Sequence, residues 1–90
     1  LGTEQRQAAT ILYKALELAR ELYQEGERDA ETIRRRMTEL IRQEPLAVID
    51  YVSVAHGATL DEMDKAETPA LVSLAVRFGK TRLIDNTLLE

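Results

Sequence analysis

The sequence predicts an α+β domain, with two antiparallel helices packed on a three-stranded antiparallel sheet. Three observations carry that prediction. Apolar residues recur at three- and four-residue spacing through roughly the first half of the chain. β-Branched runs punctuated by Gly and Pro fill the second half. Short connections, Gly26-Glu27-Arg28 between the helical stretches and Gly79-Lys80 between two strand runs, make neighbours in sequence into neighbours in space.

Residues 4–25 form the first predicted helix. Ala8, Ile11, Leu12, Ala15, Leu18, Ala19, Leu22 and Tyr23 line one stripe of it. Thr3 suits the cap, Glu4 suits the positive end of the helix dipole, and Gly26 suits the left-handed residue that closes the helix. A second helix, 30–43, takes Asp29 as its cap and Ile33, Met37, Leu40 and Ile41 as its apolar face. Pro45 ends it, because the residue before a proline is pushed out of helical geometry.

Residues 47–55 read as the first strand. Thr59 and Glu62 stand at capping-box spacing, which predicts one helical turn over 59–64. Strands follow at 70–78 and 81–89. A two-residue type II′ turn wants Gly first, so Gly79-Lys80 fixes the register: Phe78 opposite Thr81, Arg77 opposite Arg82, Val76 opposite Leu83, Leu74 opposite Asp85. One face then carries Val72, Leu74, Val76, Phe78 and Leu83 and should meet the helices. The other carries Leu71, Ala75, Ile84 and Leu88 with Ser73, Asn86, Arg77 and Arg82, more apolar than a solvated face needs. Either the loop 56–68 or a chain terminus covers it, or another domain or a second copy does.

The chain has 90 residues, enough for one domain that buries roughly 60–65 % of its unfolded surface. Hydrophobic residues make up 44 % and aromatics 4 %, so Leu, Ile, Val and Ala must fill the core. A net charge of −4 argues against broad nucleic-acid binding, which needs a basic surface. With no cysteine there is no disulfide framework and no thiolate chemistry, which points to the cytosol. No run of about 18 apolar residues could span a membrane. The chain opens on Leu1-Gly2 without Met, and helix-forming sequence starts at once, so a piece of a longer polypeptide is expected.

Chemistry-bearing motifs are sparse. His56 is the only histidine, without a second metal ligand at helical or strand spacing, and Ser53 sits in mid-strand without an elbow motif. Asp61, Glu62, Asp64 and Glu67 cluster in one loop without the regular spacing of a cation site. Gly79-Lys80-Thr81 lacks the first glycine of a phosphate loop, position 74 being Leu, and no helix follows. Arg34-Arg35-Arg36 with Arg42 makes a basic surface interleaved with Glu31, Glu39 and Glu44: a solvated face, or a contact for a phosphate or an acidic partner. The predicted register sets Arg77 beside Arg82, where like charges repel. Asp85, another acid of the fold, another domain or a bound anion must offset them.

Several segments, in order, carry a resemblance: Glu4-Gln-Arg-Gln-Ala-Ala9, Gly26-Glu-Arg-Asp-Ala30, Asp50-Tyr51-Val52-Ser53, Thr59-Leu60 and above all Ala75-Val-Arg-Phe-Gly-Lys-Thr-Arg-Leu-Ile-Asp-Asn86. From about Thr3 to Leu89 the chain resembles the C-terminal part of the pantothenate synthetase (pantoate–β-alanine ligase) family. The resemblance implies a lid domain, residues 1–90, of a larger cytoplasmic homodimeric enzyme whose Rossmann-type N-terminal nucleotide-binding domain is not in this sequence. It implies ATP with Mg²⁺, pantoate and β-alanine as the ligands of that enzyme, pantoyl adenylate as its intermediate, and no partner among nucleic acids or membranes. It places no catalytic or metal-binding residue on this chain, since the family's histidine signature and its Met-Ser-Ser-Arg-Asn segment would precede Leu1, and it leaves the isolated piece inactive and without a bound cofactor. Lys80, Arg82 and Arg77 are the residues expected to face the substrates or the interdomain contact. His56-Gly57-Ala58 departs from the more acidic turn expected there. Two other classes stay open: a protein-interaction or dimerisation module using the outer sheet face, and a small-molecule regulatory domain of βα type.

Overall fold

A computed structural model describes residues 3–89. The elements run α1 (Thr3–Gln24), α2 (Ala30–Ile41), β1 (Ala47–His56), β2 (Ala70–Phe78) and β3 (Thr81–Leu89). The sheet is antiparallel throughout, in the order β1-β2-β3. Both helices cover one face, α1 over β2 and β3, α2 over β1. This is the expected α+β arrangement.

The stripe of α1 buries Leu12, Ala15, Ala19 and Leu22 as expected, and Leu16 in addition. Alanine at 15 and 19 lets the helix backbone approach its neighbours closely. Thr3, expected as the cap, is already the first residue of α1. The helix closes at Gly26, whose φ of +104° is left-handed. The Gly26 amide donates to the Tyr23 carbonyl at 3.1 Å and the Glu27 amide to the Leu22 carbonyl at 2.9 Å, which satisfies carbonyls that the helix end would leave open.

Asp29 occupies the cap position of α2, but its carboxylate does not bond the helix amides; it accepts from the Thr32 hydroxyl at 2.7 Å. The Asp64 carbonyl takes the Ala30 amide instead, at 2.9 Å, and the Ala66 amide donates to the Arg28 carbonyl at 2.7 Å. The loop after β1 thereby pins the connection between the helices. α2 ends at Ile41, two residues before the predicted 43, because the chain tightens there: Gln43 and Glu44 donate three residues back, to Leu40 and Ile41, ahead of Pro45. Ile33, Met37 and Ile41 are fully buried, and Leu40 lies half-buried at the edge of the core.

The hairpin forms in the predicted register at every stated pair. Among the described residues only Gly26, Leu60 and Gly79 have positive φ. Gly79, at +65°, is the first residue of the turn, and Lys80 keeps the negative φ that a type II′ turn requires of its second. Val72, Leu74, Val76 and Phe78 face the helices and are buried, with Leu83 partly so.

The predicted helical turn over 59–64 does not form. Residues 57–59 make a turn, Leu60 takes φ +64°, and Glu62 bridges Ala55. The loop runs beside the free edge of β1: the His56 amide donates to the Asp61 carbonyl at 2.8 Å, and the Met63 amide to the Val54 carbonyl at 3.0 Å. A half-strand laid along an edge satisfies its open backbone groups. It leaves Val48, Tyr51, Ile84 and Leu88 of the outer face exposed.

Candidate functional site

Of the three cationic residues singled out in the sequence, Arg77 and Arg82 stand at one end of the outer face and Lys80 in the hairpin turn beside them. Arg77 and Arg82 stand directly opposite one another on β2 and β3. Lys80 is exposed at the hairpin tip and makes no ion pair among the described residues. The residue that brings the two arginines together is Asp50, on the far strand. Its Oδ1 lies 3.4 Å from Arg77 Nε, and its Oδ2 accepts a hydrogen bond from Arg82 Nε at 2.8 Å.

A bulge makes that reach possible. Ile49 pairs with Val76 and Tyr51 with Ala75, so Asp50 is an extra residue between two consecutive positions of β2. It projects on the outer face alongside Tyr51. Asp85, the nearest acid in sequence, pairs with Leu74 and so belongs to the opposite face; its carboxylate accepts from the Asn86 amide at 2.8 Å. The repulsion between the arginines is therefore offset within the fold, by Asp50. Two guanidiniums on one carboxylate still leave a net positive charge, and both arginines are about half exposed. Such a pair suits a carboxylate or phosphate on a partner surface.

Asp50→Asn tests the clamp. It keeps the shape and removes the charge, so stability should fall by about 0.5–1 kcal/mol, as for other solvent-accessible pairs. The difference from the wild-type protein should shrink in 1 M salt, where the Debye length is about 3 Å. Equal urea midpoints at low salt would show that the clamp contributes nothing.

The arginine run of α2 is not one patch. Arg35 pairs with Glu39 at 3.8 Å along the helix. Arg34 instead turns toward β1 and is largely buried: its Nε donates to Glu62 Oε1 at 2.8 Å, Nη1 to Glu31 at 3.2 Å, and Nη2 to the carbonyls of Val54 and Met63. Glu62 also accepts from the Ser53 hydroxyl at 2.7 Å and the Val54 amide at 2.9 Å. Partial burial opposes ionisation of this carboxyl, but the bonds from Ser53, Val54 and Arg34 outweigh it and hold its pKa below the ordinary value of 4.5. Ser53 thus serves a structural bond. His56 Nδ1 accepts from the amides of Ala58 and Thr59 and braces the turn. Among the described residues, no three His, Asp or Glu side chains converge as a metal site would need. No helix among them is long and apolar enough to cross a membrane.

Residues 1–88 match the family model described as pantoate-beta-alanine ligase. The chain is 57 % identical over 91 residues to a pantothenate synthetase of Chloroflexus aurantiacus, covering 100 % of this chain and 32 % of that protein. It is 49 % identical over 89 residues to one of Dehalococcoides mccartyi, covering 99 % and 33 %. Among solved structures, the crystal structure of pantothenate synthetase from Thermus thermophilus superposes with a TM-score of 0.87 at 35 % identity, over 98 % of this chain and 32 % of that one. The chain thus spans about a third of the length of the relatives it matches.

Proposed function

The chain belongs to the pantoate–β-alanine ligase family, and from that premise we infer that it works as the C-terminal lid domain of a larger, ATP-dependent ligase. The observation that carries the reading is the end-to-end match of this chain to a third of each relative. In the whole enzyme, ATP, accompanied by Mg²⁺, activates the carboxylate of pantoate. The carboxylate attacks the α-phosphorus, pyrophosphate leaves, and pantoyl adenylate forms. The β-alanine amine then attacks the acyl carbon, and AMP leaves with the C–O bond electrons. An acyl adenylate is easily hydrolysed, so a domain that closes over it and excludes water preserves the intermediate.

This domain's share is positional. Among the described residues no three acidic or histidine side chains converge, so on this reading the metal enters with ATP on the nucleotide-binding domain. Lys80 and Arg82, with Arg77 behind them, supply positive charge at one end of the outer face, suited to steering ATP or pantoate or to bracing the closed state. The piece alone is inactive on this reading, and the whole enzyme is a cytoplasmic homodimer.

Removing these 90 residues from a full-length enzyme should lower pantoate- and β-alanine-dependent AMP release on the order of a hundredfold, the cost of losing positioning, while the remaining domain stays folded and binds ATP. Full activity of the truncated enzyme would rule out a working lid. Reversing charge with Lys80→Glu and Arg82→Glu should raise KM for ATP or pantoate by about tenfold, the low end of electrostatic steering. Unchanged kinetics would remove that role from the two residues.

A further inference from the structure

The outer face of the sheet is organised in rows across the three strands. Val48, Arg77 and Arg82 form the first, with Asp50 reaching into it from the bulge. Tyr51, Ala75 and Ile84 form the second; Ser53, Ser73 and Asn86 the third; Ala55, Leu71 and Leu88 the fourth. Charged, apolar, polar and apolar bands thus alternate down one surface. In the two middle rows the central strand carries only the small Ala75 and Ser73, Ala75 being wholly buried, while Leu71 and Arg77 stand at its two ends. The flanking strands stand higher: Val48 is 52 % exposed, Tyr51 39 %, Ile84 56 % and Leu88 50 %. The result is a shallow trough with apolar walls and a positively charged end.

Its size decides what fits. Strands of nine residues at about 3.4 Å each, three abreast at about 4.8 Å, cover roughly 30 Å by 14 Å, or about 400 Å². Contact over that area buries about 800 Å² counting both sides, inside the range of about 600–1,500 Å² for domains joined in one chain. It falls short of the roughly 1,200–2,000 Å² of a stable complex between separate chains. A tethered partner suits the face, and a free second copy does not. The relatives carry about two thirds of their length outside the region matched here. The groove between α1 and α2 is more highly charged: Tyr13, Leu18 and Leu40 stand there among Lys14, Glu17, Glu21, Arg36 and Glu39.

We propose that the trough of the outer sheet face is the surface by which this domain docks on the remainder of its own polypeptide, the Tyr51–Ile84 and Leu71–Leu88 rows meeting apolar side chains there and the Arg77–Asp50–Arg82 clamp meeting a carboxylate. This rests on the reading of the chain as one domain of a longer ligase. Ser73 and Asn86 supply hydrogen-bonding groups between the apolar bands, as moderately polar interdomain contacts need.

Single cysteines report the contact, since this domain has none of its own. In a full-length enzyme freed of other reactive cysteines, Ile84→Cys and Tyr13→Cys are each labelled with a maleimide, and the rates are normalised to the same proteins in denaturant. Both positions are more than half exposed in the domain itself. Docking should slow labelling at 84 about tenfold or more relative to 13, since only transient opening exposes it. Equal rates overturn the proposal, and so does protection at 13 with free reaction at 84. Protection at 84 that vanishes on dilution below micromolar concentration assigns the face to a second copy and overturns the tethered partner. Labelling needs no turnover, so an enzyme that protects position 84 but releases no AMP would sink the ligase reading while leaving the docking surface in place.

Discussion

Leu74→Ala should destabilise the domain by about 3 kcal/mol, within the range of about 2–5 kcal/mol for truncating a fully buried leucine. Leu74 is completely inaccessible, in the middle of the central strand, on the face that both helices cover. Val52 and Asp85 are its cross-strand neighbours. The side chains around it come from a core built almost wholly of Leu, Ile, Val, Met and Ala. These cannot swing in to refill the space, because the sheet fixes β2 from both sides. A chain of this length has a total stability on the order of 5–13 kcal/mol, so the loss is a large share of it. Urea unfolding measures the change as a shift in midpoint without a change in slope. Leu71→Ala, on the outer face and only half buried, supplies the comparison and should cost about 1 kcal/mol, in proportion to the area it covers. If the two substitutions cost the same, the two faces of the sheet do not differ as core and surface.

The hairpin was legible to the residue because Gly79-Lys80 leaves one way to pair the strands. The same logic could have found the bulge in β1. Ala47 and Ile49 point to the helices, and so do Val52 and Val54, so the period of two slips by one between them. That slip is visible in the sequence as apolar residues at 49 and 52 with Asp50 between, yet a run of β-branched residues hides it. The partner of the arginine pair was hidden with it, since only the bulge brings Asp50 onto their face. The loop after β1 misled for a different reason. Thr59 and Glu62 have capping-box spacing, but the Glu62 carboxylate is claimed by Ser53, Val54 and Arg34, the last 28 residues away. Local spacing signals lose to long-range bonds when a charged donor with several N–H groups arrives from another element. Arg34 was equally illegible. In a run of three arginines each points about 100° from the last, and nothing local says which one borders the buried stripe of Ile33 and Met37.

Arg34→Met should cost about 2 kcal/mol, chiefly because the carbonyls of Val54 and Met63 lose their charged donor. Methionine keeps the aliphatic bulk, so the loss reports hydrogen bonding more than packing. The bond to Glu31 adds little, since that carboxylate is largely exposed. Because Arg34 is, among the described residues, the one side chain of α2 that hydrogen-bonds to both β1 and the loop, the effect should concentrate in the loop. Amides of Met63 and of His56, which donate across the edge of β1, should lose hydrogen-exchange protection, while those of β2 should keep theirs. The pH dependence follows from Glu62. Its folded-state pKa lies below 4.5, so it contributes stability above that pH and loses it as pH falls through the folded value. Half exposure keeps this contribution to a few tenths of a kcal/mol. In Arg34→Met the two influences of the arginine disappear, burial still opposes ionisation, and only Ser53 and the Val54 amide remain to lower the pKa. The fall in stability between about pH 5 and pH 3 should therefore be shallower at this site than in the wild-type protein. Glu62→Gln should flatten it as well, and adding Glu62→Gln to Arg34→Met should cost less than the two single losses combined, because both remove the same bond. Strict additivity, with unchanged protection in the loop, would mean that Arg34 and Glu62 do not hold the loop together.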